Sequence, residues 1–107
     1  MKYAVVLLES AEWDLFDLHQ YIEHNDSPES ADRLLDRLEQ VIAGLDVMPE
    51  RGHIPPELER IGVRHYREIH FKPYRIIYTI DGDTVVLYGV LDGRRDMQTL
   101  LLHRVLR

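Results

Sequence analysis

At 107 residues, with 45% hydrophobic and 30% charged side chains, the chain has the length of one domain and the composition of a folded globular protein, not of a disordered or membrane-embedded one. The absence of cysteine excludes disulfides, thiol catalysis and cysteine-ligated metals. The net charge of -6 is unevenly spread, with twelve acids against Lys2, Arg33 and Arg37 in residues 1–50 and ten bases against seven acids in residues 51–107. An acidic total disfavours general nucleic-acid binding and leaves any basic face to the second half.

The apolar run Tyr3 to Leu8 ends at Glu9, too short for a signal-peptide core or a membrane span, so residues 2–9 read as a strand and a cytoplasmic location is expected. Ser10 stands where an N-cap would, with Glu12 and Asp14 in the first turn of a helix from Ala11 to His24. Ala11, Leu15, Leu18 and Ile22 fall on one face of that helix and should meet the core. Ser27-Pro28-Glu29 gives a second N-cap with proline at the first helical position, and Ala31, Leu34, Leu35, Leu38, Val41, Ile42 and Leu45 keep helical spacing to about Asp46. The short connection predicts an antiparallel helical hairpin. Its many carboxylates read as a solvated face, with His19 and His24 on the solvent side.

The segment Pro49 to Pro56 holds three prolines and a glycine, which is loop chemistry. Residues 64–71, 74–80 and 84–92 are then short runs rich in Tyr, Ile and Val, separated by Lys72-Pro73 and Asp81-Gly82-Asp83, and predict an antiparallel meander. His65 and His70 would face opposite sides of the first of these strands, a poor metal pair. A final amphipathic helix carries Met97, Leu100, Leu101 and Val105 on its apolar side and leaves Arg104 and Arg107 near the chain end. One α+β domain over residues 1–107 is expected, with helices on a mainly antiparallel sheet.

Four segments in this order resemble the RelE/ParE toxin superfamily: Ala11-x-x-Asp14-Leu15 with Tyr21-Ile22; Leu45-x-x-x-Pro49-x-Arg51-Gly52; Tyr74-Arg75-Ile76-Ile77-Tyr78; and Val90-Leu91-Asp92-Gly93-Arg94-Arg95-Asp96. The resemblance spans nearly the whole chain. It implies a toxin of a type II toxin–antitoxin system, silenced in a hetero-oligomer by tight binding of a cognate antitoxin, with no cofactor or metal. It also implies one of two targets, DNA gyrase or the translating ribosome with its messenger RNA.

A ribosome-dependent endoribonuclease must activate a 2′-hydroxyl, stabilise a phosphorane and protonate a leaving oxygen, which calls for arginines beside an acid or base. Arg75 and Arg95 lie where the resemblance places phosphate-stabilising arginines, and His103 is the nearest acid–base group. Where some ribonuclease members carry a catalytic tyrosine, this chain has Leu100 or Leu101. That departure favours the ParE-like branch and gyrase. An interaction module without toxicity is a third reading of the same layout.

Arg94, Arg95, Arg75 and Arg104 are the expected target-binding residues. Arg75 has an alternative as the cross-strand partner of Glu68, and of Arg94 and Arg95 one should brace the turn against Asp92 or Asp96 while the other faces a partner. Trp13 and Phe16 fall roughly opposite the apolar stripe of the first helix, and are expected either to bind the antitoxin or to lie under the terminal segment.

Overall fold

The computed structural model describes residues 2–105, and Arg107 lies outside them. Strand β1 spans Ala4–Leu7, α1 Glu9–Asn25, α2 Pro28–Ala43, a one-turn helix α3 Pro56–Glu59, β2 Arg67–Phe71, β3 Tyr74–Asp81, β4 Thr84–Asp92 and α4 Met97–Val105. Single 3₁₀ turns at Gly44–Asp46 and Pro49–Arg51 lie between α2 and α3. The sheet order is β1-β4-β3-β2, antiparallel through the meander and parallel where β1 joins β4. Among the described residues no helix is long and apolar enough to cross a membrane.

The sheet is covered on both faces. Ala11, Leu15, Leu38 and Ile42 of the helical hairpin pack with Leu45 against Tyr74, Ile76, Tyr78, Val85, Leu87 and Val90. On the other side Leu58 of α3 and Met97 and Leu101 of α4 cover Ile77 and Leu91. Strict alternation would not send both Leu87 and Val90 to the same face. The register slips between Ile77 and Tyr78, which face Gly89 and Leu87, so Tyr88 is an extra residue in β4 and reverses the parity beyond it.

Ser27 caps α2 as its sequence predicts, its Oγ accepting from the Ser30 amide at 3.1 Å behind Pro28. Four expectations need correction. Ser10 lies inside α1, which starts one residue earlier at Glu9, and its hydroxyl donates to the Tyr88 carbonyl at 2.9 Å instead of capping. The second helix ends at Ala43 and passes into a 3₁₀ turn. His19 is partly buried, with Nε2 2.8 Å from Asp32 Oδ1, tying α1 to α2. The first meander strand begins at Arg67, so His65 precedes it.

The proline-rich segment is also more ordered than a loop. The Tyr78 hydroxyl donates to the Pro49 carbonyl at 2.5 Å, and Arg67 donates to the carbonyls of Glu50 and Gly52. His53 then forms an isolated antiparallel bridge with Glu68, exchanging backbone hydrogen bonds of 3.1 and 2.7 Å. Gly52 permits this approach, since a Cβ there would overlap the Tyr78 hydroxyl and lie 2.8 Å from the Glu68 carbonyl oxygen.

Candidate functional site

Bulging Tyr88 out of β4 leaves backbone groups that β1, ending at Leu7, cannot pair. Side chains from both ends of the chain take them up. Asp14 Oδ2 accepts from the Val90 amide at 2.9 Å, while Ser10 and Arg104 donate to the Tyr88 carbonyl. Arg104 meets Asp14 through Nη2–Oδ1 at 2.6 Å and Nη1–Oδ2 at 2.9 Å, a bidentate pair only partly open to solvent. Asp14 thus departs from the solvated carboxylate face expected of the hairpin, and its hydrogen bonds to the guanidinium raise the pKa of Arg104. Trp13, Asp17, Leu8 and Tyr88 border the same open cleft, about 510 Å³ in volume.

Across the sheet edge Arg75 is held from two sides. Its Nη1 and Nη2 donate to the two oxygens of Glu57 at 2.9 and 2.7 Å, and its Nε and Nη2 to Glu68 at 2.5 and 2.8 Å. The pairing with Glu68 is the cross-strand alternative read from the sequence; the pairing with Glu57 comes from α3, to which the sequence assigned no element beyond Pro56. The side chain of Arg75 is 12% exposed. Its fork holds Glu57 below the usual carboxylate range.

Gly93 closes over the stem of Arg75, and a Cβ on Gly93 would lie 3.0 Å from Arg75 Cδ. Of the next two residues, one braces the turn, as the adjacent arginine pair suggested. Arg94 braces the turn, with its amide and Nε donating to Asp92 Oδ1 and Nη2 to Oδ2 at 2.7 Å, which lowers the Asp92 pKa to about 2. Arg95 is exposed. His103 is exposed on α4, whereas Leu100 and Leu101 turn into the core beneath that helix.

The sequence-predicted residues therefore separate into groups. Arg94 and Arg95 present a basic turn, Arg75 lies beneath it in a closed ion-pair network, and Arg104 belongs to the Asp14 cleft. Trp13 and Phe16 are 56% and 53% exposed on the outer side of α1, with ring centroids 5.6 Å apart in edge-to-face contact. The terminal helix does not bury them. Beside Phe16 an apolar groove of about 480 Å³ runs between α1, α2 and the edge strand, lined by Leu7, Leu15, Phe16 and Leu35 and continuing toward Val5 and Ile42.

Sequence reasoning missed His53. Paired with Glu68 across the bridge, it joins His70 around a carboxylate that is itself buried: His53 Nε2 lies 3.0 Å and His70 Nε2 3.3 Å from the two Glu68 oxygens. His70 thus has a histidine neighbour from a distant loop, not the His65 considered from strand parity.

A family model described as the ParE toxin of the type II toxin–antitoxin system parDE matches residues 5–97. Toxin ParE3 of Caulobacter vibrioides is 30% identical over 88 residues, covering 82% of this chain and 84% of its own length. Among solved structures, the chromosomal ParDE toxin–antitoxin system from P. aeruginosa superposes with a TM-score of 0.71 at 14% identity, over 83% of this chain and 94% of that one. The toxin–antitoxin complex RelBE2 from Mycobacterium tuberculosis gives 0.65 at 24% identity, over 86% and 92% of the two chains. At those identities the two structures speak to the fold. Because the family match runs from the first strand to the start of the last helix, the chain belongs to the ParE toxins of type II toxin–antitoxin systems.

Proposed function

We propose that the chain arrests growth by inhibiting DNA gyrase, through the basic turn Gly93-Arg94-Arg95, and is silenced by a cognate antitoxin seated on the outer face of α1. The observation that carries the choice of gyrase over messenger RNA is the state of Arg75. A phosphate-stabilising arginine needs a free fork, and here both terminal nitrogens and Nε already serve Glu57 and Glu68. The segment where an acid–base tyrosine would stand supplies Leu100 and Leu101, packed under α4. Arg95 has neither handicap, being exposed, and Arg94 is fixed beside it.

For the antitoxin, the support is an apolar surface. Trp13, Phe16 and Tyr21 are each more than half exposed along one helix, and Phe16 lines the groove formed with β1 and α2. Large aromatics of this kind dominate interface energetics. Both structural relatives are named as toxin–antitoxin assemblies, in keeping with such a partner.

Expression of the chain without its antitoxin tests the target. The expected result is SOS induction with accumulation of gyrase–DNA cleavage complexes and intact messenger RNA. Codon-periodic cuts in ribosome-bound message would overturn the gyrase assignment, and normal growth with soluble protein would leave an interaction module.

A further inference from the structure

We propose that His53, Glu68 and His70 form a binding site for one divalent transition-metal ion of the zinc class, clamping the proline-rich segment to the outer strand of the sheet. The donor set is two imidazole nitrogens and one carboxylate, a combination suited to such ions. Its donor atoms already lie within 4.8 Å of one another. Metal–ligand bonds of about 2.0–2.2 Å in tetrahedral geometry require donors roughly 3.3 Å apart, so the widest-spaced donors must close by up to about 1.5 Å. Both rings can do so, because His53 and His70 are 58% and 47% exposed while their backbones are fixed.

The fixing is specific. His53 and Glu68 face each other in the antiparallel bridge, and His70, two residues beyond Glu68 on β2, points to the same side of the sheet. Glu68 is oriented from behind by Arg75, which stands opposite His70 on β3. Outer partners of this kind hold a ligating carboxylate in place. Charge is also accommodated, since Glu57 and Glu68 bring two negative charges to the single positive charge of Arg75. A 1% exposed carboxylate with a histidine on each oxygen therefore has room for added positive charge on its solvent side. The exposed rings leave the remaining coordination positions to water.

The test uses the full chain and zinc alone, by calorimetric titration and thermal melting, with cobalt as a spectroscopic probe. We expect one equivalent bound, a rise in Tm reversed by chelator, and visible cobalt bands of low coordination number. His53→Asn and His70→Asn should each weaken binding tenfold or more, whereas His65→Asn, outside the cluster, should leave it unchanged. Both ligand positions are exposed, so these variants should fold. Lack of saturable binding, or a wild-type isotherm retained when His53 and His70 are replaced together, overturns the site.

Discussion

Gly89 has no room for a side chain. A Cβ there would sit 2.6 Å from Arg104 Nη1 and 3.1 Å from Asp14 Oδ2, so Gly89→Ala should force the pair apart. Overpacking of this sort costs about 1–3 kcal/mol, and removing Asp14 should cost a similar amount by stranding the Val90 amide and a partly buried guanidinium. Since both substitutions break one interaction, their effects should not add. A double-mutant cycle of Gly89→Ala and Asp14→Ala by chemical denaturation checks this, and full additivity would show that the two residues act separately. At the basic turn, Arg94→Ala with Arg95→Ala removes only exposed guanidinium groups from the body of the fold. Stability should change by no more than about 1 kcal/mol, because an exposed ion pair such as Arg94–Asp92 contributes little. Growth inhibition should fall sharply. A double variant that stays folded by circular dichroism and remains fully toxic would remove both residues from the mechanism.

Helix α1 serves two surfaces with one periodicity. Ala11 and Leu15 enter the core while Trp13 and Phe16 point away from it, so the outward pair can change with little effect on folding. Trp13→Ala with Phe16→Ala should leave the unfolding midpoint nearly unchanged and weaken the antitoxin complex by about 2 kcal/mol or more, a value typical of aromatic interface anchors. Titration of the purified pair measures it; equal affinity would place the antitoxin elsewhere. These elements were legible because each follows a local rule: helical spacing in residues 11–24, a serine–proline start at Ser27, and period-two runs separated by turn residues. What escaped depends on distant partners. Nothing near Pro56 in sequence announces that α3 forms when Leu58 finds Met97 and Leu101, or that Glu57 then reaches Arg75. His53 likewise gains its meaning from a bridge to a strand fifteen residues on. Glu68 beside Arg75 was within reach of strand pairing, since adjacent strands fix their neighbours.

Across the whole molecule, two electrostatic effects oppose each other as pH falls. Twelve of the nineteen acids lie in residues 1–50, where three bases face them, so protonating exposed helical carboxylates relieves self-repulsion. The paired carboxylates behave in the opposite sense. Asp92 has its pKa lowered from 3.8 to about 2 by Arg94, and Glu57 is lowered from 4.5 by Arg75. Groups depressed on folding bind more protons in the unfolded state, so their contribution is complete above the unfolded pKa and is lost on acidification through the folded one. Stability should therefore vary little down to about pH 4.5 and fall between there and about pH 2, as Glu57 and Asp92 release their arginines. Below that range the thirteen lysine and arginine charges face no compensating carboxylates. Denaturation midpoints measured from pH 7 to pH 2 should trace that curve. Asp92→Asn cannot titrate at this position, so it should lessen the decline between pH 4 and pH 2 while leaving the shallow region above pH 5 in place. An Asp92→Asn profile superimposable on the wild type at every pH would show that acid sensitivity arises elsewhere, with the Glu57–Arg75–Glu68 network the next group to vary.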